Sequence, residues 1–327
     1  MLRILLAAIF ITQVAYSQTL IRGRVFSQTD RNPIAYVNIG VINTTVGTIS
    51  NEDGSFSLQI PDRHKTDTLL FSAIGFERKN ISIQSLLAAE LVIPLEEQVT
   101  QLKEITVASV KEKNKHFELG NGNYRGGTLE TDTTYAGACM ALLIENKNPY
   151  DKDISFPIYL EAARIRIYRN NLPSFKLRIR VYSVDSLTQQ PDKDLLHKSV
   201  VAESTMKNGW LEFDLSTYKF IVNGPFFIAF ERILTSTDRA AIATGYRDFK
   251  KNNPDDIKID TVLFEGNKVV REVFKRGGID LPGTFIGIAS TDSARQQYTC
   301  YTRGTSFDKW EKVRGILSAT VMLSNQL

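Results

Sequence analysis

Apolar and polar residues alternate over many short stretches of the chain, and this period of two predicts β-strands with one buried face. In the first hundred residues the alternation is clearest in 20–26, 35–39 and 56–60. The Asp53-Gly54 pair separates two of the apolar segments, and Asp-Gly in that setting is typical of a hairpin turn. Residues 18–98 are therefore expected to fold as a sandwich of short antiparallel strands.

The same alternation returns in residues 131–327 and predicts a second β-rich module. It is strictest in 163–168 and 175–182, which are separated by a loop of hairpin length at 170–174. Further strands are expected at 197–204, 210–215, 219–222, 225–233, 240–246, 261–265, 284–289, 297–302 and 315–323. With turn signals about every ten residues, the pattern predicts a jelly-roll-like sandwich. The expected fold class is all-β.

The N-terminus has the pattern of an export signal over residues 1–17. A positive start is followed by a nearly all-apolar stretch at 4–15, and small residues at Ala15 and Ser17 predict cleavage before Gln18. The apolar stretch is shorter than the ~20 residues that a spanning helix needs. No later stretch is long and apolar enough either, so no transmembrane helix is expected.

Residues 99–130 are expected to hold a closing strand and a linker between the two modules. The stretch 111–115 is charged, and 120–123 consists of glycine and asparagine. Such a composition buries too little apolar surface to stay ordered on its own. The linker is therefore expected to be flexible.

The overall charge changes the list of expected partners only slightly. A net charge of +4 over 327 residues is too weak to indicate a nucleic-acid partner. An anionic partner is instead expected to be an envelope glycan or a lipid headgroup. The three histidines lack the His-x-x-Glu spacing of a zinc peptidase, and the two cysteines lack CxxC spacing, so no metal or cofactor is expected.

Many of the strand and turn residues of the first module belong to one extended pattern. It comprises Gly23, Val25, Pro33, Ile34, Val37, Ile39, Gly47, Thr48, Ser50, Asp53, Gly54, Phe56, Leu58, Ile60, Pro61, Leu69, Phe71, Ser72, Ile74, Gly75 and Phe76. This pattern resembles the carboxypeptidase-like regulatory domain, also called the peptidase-associated domain. The resemblance implies a transthyretin-like β-sandwich, a module that often precedes TonB-dependent receptors or other envelope domains. The segment 102–107 also resembles the one that closes this module in those receptors.

The resemblance does not extend to a whole receptor. A plug and a 22-stranded barrel need well over ~220 residues of strand, at about ten per crossing. Only about 200 residues follow the linker. The first module is therefore expected to serve as a spacer or docking unit for a different second module.

One basic and aromatic face is the strongest candidate binding surface. If the strands at 163–168 and 175–182 pair, seven side chains share a face. They are Arg164, Arg166, Tyr168, Lys176, Arg178, Arg180 and Tyr182. Guanidinium groups bind carboxylates and sulfates through two hydrogen bonds, so this face would suit an anionic glycan. The alternative is a solvated face whose charges are cancelled by acids such as Glu212 and Asp214 on a neighbouring strand.

Three further pairs of residues have two interpretations each. Export to an oxidising compartment allows Cys139 and Cys300 to form a disulfide, and two buried free thiols are the alternative. Glu212 and Asp214 share a strand face, as the acids of some β-sandwich glycosidases do, or are ordinary exposed acids. Trp210 and Trp310 are sugar platforms or edges of the core.

The sequence as a whole favours an exported, non-catalytic envelope protein that binds a glycan or a protein partner through its second module. Its expected location is the periplasm or the outer membrane, with peripheral association. One rival hypothesis is a carbohydrate-active hydrolase on the second sandwich. Another is a small outer-membrane β-barrel, which would place Arg164, Arg166, Arg178 and Arg180 in a polar lumen.

Overall fold

The described residues of 18–98 form one unit, which we call the N-terminal unit, and buried and exposed side chains alternate along its strands. In a computed structural model of the protein, the described residues are 18–86, 91–98, 115–128, 136–147, 154, 156–264, 267–274 and 281–325. The expected export signal at 1–17 and the closing segment at 102–107 lie outside them.

The N-terminal unit is a sandwich of two small sheets. Its strands are β1 (Gln18–Ser27), β2 (Asn38–Val41), β3 (Gly47–Ile49), β4 (Ser55–Pro61), β5 (Thr68–Ser72), β6 (Lys79–Ser82) and β7 (Leu91–Leu95). One sheet has the order β4-β1-β7 and the other the order β3-β2-β5-β6. Alternate residues, among them Val25, Leu58 and Phe71, meet in one apolar core between the sheets.

The C-terminal unit, described residues 115–325, is a larger sandwich. Its first elements are β8 (His116–Asn121), β9 (Gly126–Thr128), β10 (Cys139–Ile144), β11 (Ile158–Asn170), β12 (Phe175–Val184), β13 (Pro191–Asp194), β14 (Val200–Ser204), β15 (Gly209–Asp214), β16 (Phe220–Val222) and β17 (Phe226–Ile233). The others are α1 (Ser236–Asn252), β18 (Ile257–Phe264), β19 (Asn267–Phe274), β20 (Thr284–Ala289), α2 (Asp292–Gln297), β21 (Cys300–Arg303), β22 (Glu311–Lys312), β23 (Ile316–Leu317) and β24 (Ala319–Ser324).

Two sheets of this unit face each other across one core. The β12 sheet has the order β13-β12-β17-β10-β21-β22, with β14 beside β12. The β11 sheet has the order β23-β20-β11-β24-β8, with β15 and β16 beside β11 and β9 beside β20. Ile165 and Ile167 of one sheet and Ile179 and Val181 of the other belong to the same buried cluster. The predicted all-β class is confirmed.

The strands at 163–168 and 175–182 do not pair, although the loop between them has hairpin length. β11 pairs with β15, β16, β20 and β24, whereas β12 pairs with β13, β14 and β17. The connection at 170–174 therefore crosses from one sheet to the other. The Asn170 side chain holds the start of this crossing through hydrogen bonds to both the N–H and the C=O of buried Leu172.

The strand expected at 240–246 is also wrong, because this stretch lies in helix α1. Thr235 caps the helix: its hydroxyl accepts the N–H of Asp238, and the Asp238 carboxylate accepts the N–H of Thr235. This reciprocal arrangement is a capping box. Residues 116–121 and 126–128, which were expected to belong to the linker, are strands β8 and β9.

The two units contact each other directly. The N–H of Asn43 donates to the carbonyl of Phe307 at 2.9 Å, and the Thr305 hydroxyl donates to the carbonyl of Thr44 at 3.1 Å. Ile74 of the N-terminal unit packs against the core of the C-terminal unit. Within the described ranges no helix is long and apolar enough to cross a membrane.

Candidate functional site

The outer face of the β11 sheet carries a groove of 590 Å³. It is lined by Tyr124, Arg166, Tyr168, Arg169, Asn170, Asn171, Lys207 and Asn208. We refer to this set as the basic groove, because three cations line it and no carboxylate of the described residues does. Arg166 and Tyr168 belong to the predicted basic face.

Two glycines leave room for the long side chains on this face. A Cβ at Gly287 would lie 2.8 Å from Cγ of Arg166, and a Cβ at Gly127 would lie 2.7 Å from Cδ1 of Tyr168. Such distances are far inside van der Waals contact. The absence of a side chain at Gly127 and Gly287 therefore lets Arg166 and Tyr168 lie across the neighbouring strands.

Aromatic rings hold the Arg166 guanidinium in the groove. Its Cζ lies 4.5 Å from the ring centroid of Tyr124, a cation–π contact, and Tyr124 meets Tyr168 edge to face at 6.3 Å. The Nε of Arg166 is buried and has no hydrogen-bond partner among the described residues. A buried donor of this kind costs free energy until an acceptor reaches it. The groove thus offers a positioned cation with unused hydrogen-bonding capacity.

Arg164, two residues earlier on the same strand, lies outside the groove. Its Nε donates to Glu212 Oε2 at 2.6 Å across the β11–β15 pair, and both side chains are largely exposed. Here the interpretation of a solvated face with cross-strand acids holds. An exposed pair of this kind contributes at most about 1 kcal/mol.

The other four residues of the predicted face lie on the opposite side of the molecule. Lys176, Arg178, Arg180 and Tyr182 belong to β12, on the side of the β12 sheet that faces the N-terminal unit. Arg178 is 1% exposed and Arg180 is 5% exposed. Since their apolar neighbours Ile179 and Val181 share the core with β11, the outward faces of β11 and β12 point in opposite directions. The seven residues do not form one surface.

The two buried arginines share one buried acid. Nε of Arg178 and Nε of Arg180 donate to Glu231 Oε2 at 2.9 and 3.0 Å, and Arg180 Nη1 donates to Asp194 at 2.5 Å. The Ser306 hydroxyl donates to the second oxygen of Glu231. Burial raises the pKa of Glu231, but the arginines and this hydrogen bond outweigh it and bring the pKa to about 2. Glu231 is therefore ionised at neutral pH.

Arg178 also joins the two units. Its Nη1 donates to the carbonyl of Tyr36 at 2.8 Å, and its Nη2 donates to Oδ1 of Asn38 at 2.7 Å. Lys176 adds an ion pair of 3.5 Å with Glu52 of the N-terminal unit. We call this set of contacts the inter-unit seam. Because Arg178 and Arg180 are buried and paired, they are not accessible to a glycan, and loss of either ion-pair partner would leave a buried charge uncompensated.

Of the two interpretations of the cysteine pair, the structure shows the buried free thiols. Cys139 lies opposite Arg303 on the neighbouring strand, whereas Cys300 lies opposite Leu142. Three positions along a strand place the two thiols on opposite faces of the sheet. Both cysteines are free and buried, and burial raises the pKa of each thiol to about 12.

The acid pair on β15 has no feature of a glycosidase pair. Glu212 is bound to Arg164, and Asp214 accepts hydrogen bonds from the N–H and hydroxyl of Ser216, which lower its pKa. A general acid needs a raised pKa. In the described part of the chain, no three His, Cys, Asp or Glu side chains come close enough to hold a metal ion.

Sequence analysis missed several residues of the basic groove and of the inter-unit seam. Tyr124, Arg169 and Lys207 of the basic groove come from loops and strand ends without alternation. The sequence did carry a signal for Glu231, because this acid directly follows the apolar stretch 226–230 in the same strand. An acid in a strand buried on both faces requires a buried cationic partner.

Comparisons with known proteins concern the N-terminal part of the chain. The family model of the CarboxypepD_reg-like domain matches residues 21–107. The TonB-dependent receptor SusC of Bacteroides thetaiotaomicron is 27% identical over 120 residues. This similarity covers 37% of the present chain and 11% of the receptor. The resemblance predicted from the sequence is confirmed.

Proposed function

We propose that the protein is a non-catalytic binding protein of the cell envelope, which binds an anionic glycan through the basic groove of its C-terminal unit. The N-terminal unit would serve as a spacer or docking unit for the C-terminal one. Uronate or sulfate groups would accept hydrogen bonds from Arg166 and Lys207, and the tyrosine rings would contact the sugar faces.

The observation that carries this proposal is the state of Arg166. Its guanidinium lies on the Tyr124 ring, has a buried Nε without an acceptor, and forms no ion pair among the described residues. The neighbouring Arg164 differs, because its Nε already donates to the carboxylate of Glu212. The groove is also open and large enough, at 590 Å³, for more than one sugar ring.

The similarity to SusC supports the envelope part of the proposal. SusC is named a TonB-dependent receptor, and the matched CarboxypepD_reg-like domain is a non-catalytic module. The expected export signal agrees with the same location, in the periplasm or in peripheral association with the outer membrane. An envelope protein partner remains the second candidate for the C-terminal unit's ligand.

Calorimetric titration of the mature chain with tetragalacturonate tests the glycan proposal, with neutral maltotetraose as the size-matched control. The wild type is expected to bind the first sugar and not the second. Arg166→Gln is expected to weaken binding at least tenfold, in line with the loss of a charge-assisted hydrogen bond. The matched variant Arg164→Gln removes the same charge from the same strand and is expected to change the affinity less than twofold.

Equal weakening by both variants would mean that the protein attracts the sugar only through its general charge, and would refute the groove. Absence of heat with every acidic oligosaccharide, sulfated ones included, would refute glycan binding. Arg303→Gln, which lies outside the groove, is expected to leave tetragalacturonate binding unchanged.

A further inference from the structure

A second opening lies between the two units, beside the inter-unit seam. This cleft has a volume of 290 Å³. The N-terminal unit contributes Ile74, Phe76 and Arg78 to its wall, and the C-terminal unit contributes Leu196, Arg303 and Phe307. Asp192 and Asp194 of the C-terminal unit line it as well. Apolar side chains and charged groups of both signs thus meet in one place.

Arg303 is the unusual group of this cleft. Its Cζ lies 4.4 Å from the ring centroid of Trp310 and 5.3 Å from that of Tyr182, so two aromatic rings hold the guanidinium. Its Nη2 donates to the Tyr182 hydroxyl at 2.6 Å. Its Nε is buried and has no acceptor, and no carboxylate pairs with it among the described residues.

The charges around Arg303 do not balance. The cleft and the adjoining seam hold four cations, Arg78, Arg178, Arg180 and Arg303, and three acids, Asp192, Asp194 and Glu231. Asp194 and Glu231 are already bound to Arg178 or Arg180. Burial raises the pKa of the Cys139 thiol to about 12 and also raises that of Tyr182, so these neighbours stay neutral. One positive charge is left over, and among the described residues no carboxylate pairs with Arg303, whereas Arg178 and Arg180 are both paired.

We propose that the cleft between the units is a carboxylate-binding site, in which Arg303 receives the anion and the apolar wall receives the group that carries it. A carboxylate bound to the Arg303 guanidinium would cancel the excess charge. The cleft lies at the lower limit of ligand pockets, about 300 Å³, so it suits a small organic acid or the end of a peptide and not a polysaccharide. The exposed Arg78 would attract the anion at the entrance.

Trp310 provides a direct reporter, because it lies on Arg303. The chain has two tryptophans, so Trp210→Phe leaves Trp310 as the single one. We would titrate this variant at constant ionic strength with malonate, with N-acetylphenylalanine, and with the amide of N-acetylphenylalanine. A saturable fluorescence change is expected for at least one of the two acids, with a dissociation constant of about 10 mM or tighter. The neutral amide is expected to give none.

The two acids distinguish the sources of the carboxylate. Tighter binding of N-acetylphenylalanine than of malonate would indicate a peptide end, and the reverse order would indicate a small organic acid. Arg303→Gln, introduced into the same background, is expected to abolish the change. Arg164→Gln is the control for general charge and is expected to leave it intact.

A second readout does not depend on any variant at Arg303. In ¹⁵N-labelled wild-type protein, the Nε–H resonance of Arg303 is expected to move downfield with the acid and to stay in place with the amide. Equal responses to acid and amide, or no saturable response to either acid at ten times the expected dissociation constant, would overturn the proposal. Tetragalacturonate binding is expected to depend on Arg166 and not on Arg303. The proposal for the basic groove and the proposal for the cleft can therefore be refuted independently.

Discussion

Glu231 is the common ion-pair partner of the two buried arginines, so the stability of the fold depends strongly on this one side chain. It is 0% exposed and accepts hydrogen bonds from Arg178, Arg180 and Ser306. Burying three ions is costly, and the cost is offset only while all of them are paired. Removal of the acid would leave two guanidinium groups buried without their common partner.

Acid is expected to remove the stabilisation that Glu231 provides. The pKa of about 2 in the folded protein is below the unfolded value of 4.5, so the stabilisation is complete above pH 4.5. It is lost as the pH falls from 4.5 towards 2. Urea unfolding of the wild type and of Glu231→Gln at a series of pH values measures this effect.

At pH 7 the Glu231→Gln variant is expected to be less stable by about 3–5 kcal/mol, and this difference is expected to shrink below pH 4.5. Glu212→Gln, which alters an exposed ion pair, is the control and is expected to cost at most about 1 kcal/mol at any pH. A difference between wild type and Glu231→Gln that does not depend on pH would contradict the assigned ionisation.

Gly127 allows a test of the basic groove that changes no charge. In Gly127→Ala the new methyl group would lie 2.7 Å from Tyr168, so the ring has to move. We expect the affinity for tetragalacturonate to fall about tenfold, the range of one lost aromatic contact. Gly126→Ala, whose Cβ would have no heavy atom within 4 Å, is the matched control. Equal affinities of the two variants would show that Tyr168 does not contact the sugar.

At the scale of elements, alternation predicted which residues face the core between the sheets but not which strands are neighbours. The inward residues Ile165, Ile167, Ile179 and Val181 are all in the core, as the period of two indicates. The same pattern is equally compatible with one shared sheet or with two opposed sheets. The short loop at 170–174 favoured a hairpin, yet it crosses the sandwich. The predicted basic face therefore divided into a groove and a buried seam.

Helix α1 was missed although its start carries a sequence signal. Thr235 and Asp238 have the spacing of a capping box, but the short apolar groups in 240–246 suggested a strand. Ile242 is the one buried residue among the 17 of α1, so the helix has too small an apolar face to establish a period of 3.6. The capping residue, and not the hydrophobic pattern, marked this element.

Thr235→Ala is expected to weaken the first turn of α1 by about 1 kcal/mol, since the variant loses the hydroxyl that accepts the Asp238 N–H. Hydrogen exchange of the amides at 239–243 is expected to accelerate about fivefold. Ser236→Ala, at the adjacent exposed position, is the control and is expected to leave their exchange nearly unchanged. Equal exchange in the two variants would mean that tertiary contacts, and not the cap, hold this turn.

At the scale of the whole molecule, the inter-unit seam makes the two sandwiches interdependent. Composition predicted a flexible linker, and nothing in the sequence marked Tyr36 and Asn38 as partners of Arg178. These contacts join residues about 140 positions apart, beyond the reach of any local pattern. Ile74 and the Asn43–Phe307 hydrogen bond extend the seam. We therefore expect the units to unfold together.

Asn38→Ala tests this coupling, because it removes the acceptor of Arg178 Nη2 on the N-terminal side of the seam. In scanning calorimetry the wild type is expected to unfold in one transition, with a van't Hoff enthalpy close to the calorimetric one. The variant leaves a buried guanidinium partly unpaired, so the N-terminal unit is expected to melt first, in a separate transition at lower temperature. Asn32→Ala changes an exposed turn of the same unit and is expected to keep one transition. A single, equally shifted transition in both variants would show that Arg178 does not couple the units.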